Sequence, residues 1–375
     1  MKSKGALIWD YAQPWSVEEI EIGDPQYGEV KVRVETAGLC QFDQRLASGD
    51  VPTAAFPILG GHEGAGVIIE VGAGVDQLAV GDHVVFSFIP ACGMCQSCLS
   101  GHHNLCDRGQ DLLTRGAVSD GTFRIRARDH NVHPTSLIGA FAPYAVVHKS
   151  SVVKIDPSIP FDIACLASCS VTTGYGAVVN TATVRPGEDV AIVGAGAVGS
   201  AAVQAAVISG ARRIFAVDPV EAKCTQAAKF GATHTYSDID RAIGGIEEVT
   251  GGQMCRTVIV AVGRCDGHDL AKWMRITAKG GSCVLAATGD AAETNPRMNL
   301  SALTFQQKSL CGTLFGGGNP QLLIPEVLAL YKLGDLGLGD MVTREYSLEQ
   351  INEGVADMLE GRNIRGVIRF TDADR

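Results

Sequence analysis

Cys92, Cys95, Cys98 and Cys106 stand in the pattern Cys-x2-Cys-x2-Cys-x7-Cys. Four thiolates this close in sequence fit a tetrahedral cage around one zinc ion and leave no coordination position open. A zinc ion held this way is structural. It would pin the long excursion of about residues 91–140, which is rich in Cys, Gly, His and Asp. Left without metal, four reduced cysteines would have to be buried as small apolar groups, and a glycine-rich loop offers little burial. A redox reading of Cys-x2-Cys lacks the βαβ setting it needs.

A second constellation is dispersed. Cys40 is followed by Asp43, His62-Glu63 lies in GGHEGAG, and Cys169 lies in ASCSVTTGYG. Each is weak alone, since a histidine beside glycines is more often structural than a ligand. Together Cys40, His62 and Cys169 make a Cys2His set, with Asp43 and Glu63 available to orient the ligands. Three protein ligands leave the fourth position of a zinc ion open, which is the catalytic arrangement.

The third constellation is Gly194-Ala195-Gly196-Ala197-Val198-Gly199, which follows the apolar run Asp189–Val193 and opens an Ala/Val-rich stretch to Ile208. Asp218 stands at the end of the next apolar run, Arg213–Val217. A Gly-x-Gly-x-x-Gly between a strand and a helix, with an acid about 20 residues on, is a dinucleotide fingerprint. The glycines admit a pyrophosphate to the helix N-terminus, where free N–H groups and the dipole favour anions. Asp218 would accept from ribose hydroxyls and repel a 2′-phosphate. The next residues, Pro219, Val220 and Glu221, carry no positive charge, so NAD is expected over NADP.

These groups need two kinds of scaffold. Up to about residue 150 the chain reads as short strands with glycine turns. Val30–Val34 alternates apolar and basic residues like a half-buried strand, and Gly66–Val71 and His83–Phe88 are β-rich. Beyond about residue 170, continuous apolar strands (Asp189–Val193, Arg213–Val217, Thr257–Val262, Ser282–Ala287) alternate with helices such as Val220–Phe230. That alternation predicts a parallel sheet covered on both faces. Helices are then expected over Ile324–Lys332 and Leu348–Glu360, and a closing strand over Val367–Phe370.

The 375 residues carry 31 basic and 41 acidic side chains, a net charge of −10, which argues against nucleic acid. Hydrophobic residues at 46% and charged residues at 19% mark a globular chain. No apolar run reaches membrane-spanning length, and the N-terminus does not read as a signal peptide, so a cytoplasmic protein is expected. Cys165, Cys224, Cys255, Cys265, Cys283 and Cys311 follow no ligand spacing and read as small buried groups. The histidines other than His62 read as solvated or hydrogen-bonded.

GHEGAG, the four-cysteine lobe, TTGYGA and GAGAVG, in this order, resemble the zinc-containing medium-chain alcohol dehydrogenases over essentially the whole chain. A Cys2His catalytic zinc is the arrangement of that family. The resemblance implies an α/β plus β architecture: a GroES-like β-barrel catalytic domain (1–170 and 315–375) and a Rossmann doubly wound NAD-binding domain (171–314). It implies two zinc ions per chain, one on Cys40, His62 and Cys169, and one on the four-cysteine lobe. Asp218 would bind ribose with Lys223 nearby. Val198 and Thr173 would contact the cofactor, and Arg365 would reach its phosphates. Phrases such as SFIPACGMCQSCLSGHHNLCD, LLTRGAVSDGT and TAKGG are similar to the nitrosodimethylaniline-dependent branch. In that branch NAD exchanges poorly, and reoxidation is assigned to a small carrier, mycofactocin. The family's sheets commonly join in a homodimer or homotetramer, and Leu303–Leu314 is apolar enough to fit.

One departure stands out. The family's relay hydroxyl is replaced by Phe42, its relay histidine by Arg45, and Gln41 stands where a phosphate-binding Arg or His is common. A phenyl ring transfers no proton, but it can shape a pocket for a bulky or apolar alcohol. The proton would then leave by water, a substrate group, the cofactor ribose or a side chain such as Thr173. The expected reaction is zinc-assisted hydride transfer between an alcohol and NAD, with zinc as Lewis acid. Rival readings are a reductase of a conjugated carbonyl or iminium, an aldehyde dismutase working on a retained cofactor, and a non-catalytic zinc- and nucleotide-binding protein.

Overall fold

The computed structural model describes residues 1–375 except 54–55, 111, 113–115, 291 and 293–294. Positions 113–115 of the phrase LLTRGAVSDGT therefore lie outside the described residues. The chain forms two compact units, one of Met1–Cys169, Asn319–Ala329 and Leu338–Arg375, the other of Ser170–Gly318 and Leu330–Gly337. The sequence reading gave all of 315–375 to the catalytic domain, but Phe315–Gly318 and Leu330–Gly337 pack with the second unit. Gly316 is the reason for the first: at φ +64 it lies so close to Gly176 that a Cβ on Gly316 would come 2.6 Å from the Gly176 Cα. For the second, Gly337 donates its N–H to Gln204 Oε1 at 2.6 Å.

The first unit holds two sheets. In one, the strand order is His130–Asn131, Ile125–Ala127, Ser16–Ile22, Lys2–Ile8, Ile58–Leu59, His133–Pro134. In the other, Val152–Lys154, His83–Phe86, Gly64–Val71, Glu29–Gly38, Arg365–Arg369 and Val342–Tyr346 follow one another, and Tyr144–His148 also pairs with Glu29–Gly38. Val30, Val32 and Val34 are fully buried in its core, as their alternation requires. Lys31 departs from that pattern. It is buried as well, because its ammonium is neutralised by Asp24 at 2.8 Å and Glu70 at 2.7 Å.

Several ends differ from the sequence expectation. The strand at His83 stops at Phe86, with a last cross-bond from Ser87 N–H to the Ser151 carbonyl at 2.9 Å, and Phe88 lies beyond it. The helix expected at Ile324 starts at Pro320, and the closing strand starts at Arg365. Thr277–Leu285 starts five residues before the expected Ser282, because it swells where it meets Cys255–Val260.

The second unit is built on six parallel strands in the order His234–Tyr236, Arg213–Val217, Asp189–Val193, Cys255–Val260, Thr277–Leu285, Ser309–Gly312. The order runs outward from Asp189–Val193 in both directions. Open sheets of this kind bind ligands at the carboxyl ends of the strands, where the order reverses. No single helix among the described residues is long and apolar enough to cross a membrane.

The four-cysteine lobe is tied to its sheet by a buried carboxylate. Glu29 is fully buried and meets Arg124 Nε at 2.8 Å and Nη2 at 3.0 Å, the Ser119 hydroxyl and the Gln26 N–H. Removing one partner of such a pair leaves a charge with neither water nor counter-ion, a loss of about 3–5 kcal/mol. Arg124→Met is expected to lower unfolding stability by that order, read as a shift in the urea midpoint at unchanged slope.

Candidate active site

Cys40 is the N-cap of the helix Gln41–Ser48, which ends at Gly49 in the left-handed conformation (φ 89). The helix N-terminus favours negative charge and so favours the Cys40 thiolate. His62 and Glu63 immediately precede the strand Gly64–Val71. Cys169 follows the short helical turn Cys165–Ser168. Ser168 stitches that turn to the strand, because its hydroxyl accepts from Gly64 N–H at 3.1 Å and lies 3.2 Å from the Gly64 carbonyl. Ligand atoms of Cys40, His62, Glu63 and Cys169 thereby lie within 4.8 Å of one another.

Asp43 is 2% exposed and places Oδ2 3.0 Å from His62 Nδ1, while its Oδ1 accepts from Gly61 N–H at 2.9 Å. The carboxylate fixes the ring so that Nε2 faces the cluster. Glu63 is fully buried with Oε1 3.8 Å from that Nε2, and its Oε2 meets the Arg365 guanidinium. Gly38 makes room for this pair, since a Cβ there would stand 3.2 Å from Arg365 Nη2 and closer still to Glu63 Oε2. Arg365, expected at cofactor phosphates, is buried here with its charge set against Glu63.

The electrostatics call for a cation. Burial disfavours a charged His62, yet Asp43 and Cys40 outweigh it and push the imidazole pKa up to about 10. The Cys40 thiol is held well below its usual range, first by a hydrogen bond from Cys169 and then, against the cost of burial, by His62 and Arg365. Two half-buried thiols with two buried carboxylates and one buried histidine fit a divalent metal. Zinc suits this sulfur–nitrogen donor set.

The second cluster is as compact, with four sulfurs within 4.8 Å. Cys92 and Cys98 Sγ are 4.0 Å apart, and Cys95 and Cys106 Sγ 3.8 Å. All are free thiols. Burial raises the Cys95 pKa, but N–H groups of Cys98 and Asp107 outweigh it and bring the thiol down to about 7. Burial pushes Cys106 up to about 12. A zinc ion held there would let four such neighbours ionise together.

In the second unit Gly194 has φ +94, and a Cβ there would meet the Ala261 carbonyl carbon at 2.7 Å. A Cβ on Gly199 would strike the Gly194 carbonyl oxygen, whereas one on Gly196 would meet nothing within 4 Å. The outer two glycines thus serve packing, and the middle one opens the space a pyrophosphate would fill. Val198 lies in the first turn of the helix Ala197–Ile208. Asp218 is buried. Its Oδ2 accepts from Ala195 N–H and its Oδ1 from Val220 N–H, each at 2.9 Å. It therefore holds the glycine loop in shape through Ala195. Lys223 lies on the helix Glu221–Lys229, and Thr173 is buried in the helix Ser170–Gly176.

Two family models match the chain, an alcohol dehydrogenase GroES-like domain over residues 26–157 and a zinc-binding dehydrogenase domain over 197–332. Alcohol dehydrogenase B of Mycobacterium tuberculosis (strain ATCC 25618 / H37Rv) is 61% identical over 375 residues, the full length of both chains. The chain belongs to the zinc-containing medium-chain alcohol dehydrogenase family. An NDMA-dependent alcohol dehydrogenase of Amycolatopsis methanolica is 39% identical over 368 residues, covering 98% of this chain and all of that protein. The solved benzyl alcohol dehydrogenase of Acinetobacter calcoaceticus superposes with a TM-score of 0.92 at 28% identity, covering 99% of this chain and 100% of the other. This alcohol dehydrogenase accordingly uses zinc and NAD(H).

Two features escaped the sequence reading. Phe88 meets the His62 ring edge-on, with centroids 5.5 Å apart, and Phe42 does the same at 5.4 Å. Phe88 lies near the lobe cysteines in SFIPAC, but only the early end of its strand releases it towards His62. Arg45 is 8% exposed. Its burial follows from the helix turning it inward, which no spacing in the sequence signals.

Asp43→Asn removes the carboxylate that orients His62. Loss of such a partner costs about 10–100-fold in metal affinity. Zinc competition with a chromophoric chelator is expected to show a drop of that size at one of the two sites only.

Proposed function

We propose that this alcohol dehydrogenase oxidises bulky or apolar alcohols with NAD, holds the cofactor tightly and hands its electrons to an external redox carrier. The observation that carries the substrate class is the pair of phenyl rings, Phe42 and Phe88, against the ring of His62. They give the metal cluster an apolar rim. A relative of the same fold named benzyl alcohol dehydrogenase is in keeping with it. The NDMA-dependent relative supports the external acceptor, for which mycofactocin is the carrier the branch suggests.

In this reading Cys40, His62 and Cys169 hold the catalytic zinc, and Cys92, Cys95, Cys98 and Cys106 the structural one. Bound zinc supplies a Lewis acid that acidifies the alcohol hydroxyl, and bound NAD supplies the hydride acceptor. The chain's own residues do the rest. Asp43 holds the His62 tautomer, and Arg365 neutralises Glu63 behind the ligands. Gly194, Gly196 and Gly199 shape the pyrophosphate cradle, with Asp218 favouring NAD. Neither Phe42 nor Arg45 can accept the alcohol's proton, since a phenyl ring has no basic atom and a guanidinium stays protonated. The proton leaves by another route.

The same reading places the protein in the cytoplasm as a homo-oligomer. Ser309–Gly312 ends its sheet, and Leu300, Phe305 and Leu314 beside it are 66%, 88% and 40% exposed, which suits a second copy.

Elemental analysis is expected to give two zinc ions per chain, and NAD is expected to stay with the protein through desalting. Octanol and benzyl alcohol should be oxidised well ahead of ethanol. General acid–base help is worth ~10²–10⁴-fold, so Phe42→Ser, with water taking the proton onward from the new hydroxyl, should raise single-turnover oxidation of ethanol. Equal turnover of all three alcohols, unchanged in Phe42→Ser, would refute the role given to Phe42.

A further inference from the structure

A groove of about 890 Å³ crosses the second unit at the start of its strands. Asp189 and Thr277, the first residues of their strands, line it. Gly194 follows the other end of Asp189–Val193. At about 3.3 Å per strand residue, roughly 17 Å separates the groove from the glycine-rich loop. We propose that this groove is a second ligand site, which binds an anion with an apolar portion, of the class of a medium-chain carboxylate.

The charge balance is the first ground. Arg212, Arg256, Arg275, Lys279 and Lys308 line the groove; Arg256 reaches Glu188 at 4.0 Å and Arg275 reaches Glu247 at 3.9 Å, so the charge left over rests on the two lysines, in a chain whose net charge is −10. Asp189 is consumed by Arg212 and Arg213, each through two hydrogen bonds. Among the described residues, neither Lys279 nor Lys308 has a carboxylate partner. Lys308 is half-buried and donates one N–H to the Met274 carbonyl at 2.7 Å. An ammonium carries three donors, so two remain. Burial draws its pKa down, as expected of a cation without a counter-ion.

The second ground is how the groove is built. The register between neighbouring strands jumps from Cys255↔Thr277 to Thr257↔Ser282, so residues 278–281 bulge outward and carry Lys279 to the rim. These residues include the Lys-Gly-Gly of the TAKGG phrase, which the dehydrogenase reaction leaves without a role. Gly280 has φ +65 and lies against Arg256, where a Cβ would approach Nη1 to 2.8 Å. Met254, also in the wall, holds φ +65 although it is not glycine, and its N–H donates to Thr250 Oγ1 at 3.0 Å. Left-handed backbone at a bulky residue is costly and gathers at ligand clamps. Met254, Met274 and Leu303 supply the apolar wall, which inorganic anions would not use.

The test is calorimetric titration of octanoate into the zinc-loaded, NAD-saturated protein, with octanamide as the neutral control. Octanoate is expected to bind and octanamide not to. Lys308→Met and Lys279→Gln should each weaken octanoate about tenfold, with octanol turnover and sedimentation unchanged. Three results overturn the proposal: octanamide binding as well as octanoate; neither variant weakening octanoate; or weakening that arrives only with a change of oligomeric state, which would assign the groove to a contact between copies. The readout is binding and not turnover, so its failure leaves the proposed alcohol specificity standing, and the reverse.

Discussion

Buried negative charge is the constraint around which the first unit is arranged. Cys40, Cys169, Asp43 and Glu63 bring two half-buried thiols and two buried carboxylates to one place. Such groups are stable in a low-dielectric interior only when paired and hydrogen-bonded. The chain supplies part of the compensation itself. Arg365 faces Glu63, the Gly61 N–H serves Asp43, and the helix Gln41–Ser48 points its positive end at Cys40. What these leave over matches a divalent cation. Three distant parts of the chain must therefore meet within a few ångströms, and the Ser168–Gly64 stitch and the Gly38 gap are the packing details that permit it.

The lobe repeats this logic at smaller scale. Its thiols are neighbours in sequence, so little of the fold is needed to gather them. What the fold adds is attachment. Glu29, buried and held by Arg124 and Ser119, ties the far side of the lobe to the central strand of the sheet. In the second unit the constraint is steric. Gly194 and Gly199 lie too close to their neighbours for any side chain, and Asp218 holds the loop through the Ala195 N–H. The crevice for an anion at Gly196 is a consequence of that packing.

The two phenyl rings against His62 come from different elements. Phe42 follows closely on Cys40 and was visible as a departure from the family's hydroxyl. Phe88 belongs to a stretch that reads as strand, and it reaches His62 because pairing stops at Phe86. Both rings act on the same imidazole from different elements.

The sequence by itself determined the local chemistry: the four-cysteine spacing, the glycine fingerprint between strand and helix, and the apolar strands of the parallel sheet. These are written in neighbouring residues, so periodicity and spacing suffice to read them. The Cys2His set was readable only with the family resemblance beside it, because nothing in Cys40, His62 and Cys169 taken singly says that they meet. Tertiary structure alone decided the rest. It buried Lys31 against Asp24 and Glu70, set Arg365 on Glu63, and passed Phe315–Gly318 and Leu330–Gly337 to the second unit. Each of these depends on a partner far away in sequence. A charge or a glycine carries no local mark of the carboxylate or backbone it will face once the chain has folded.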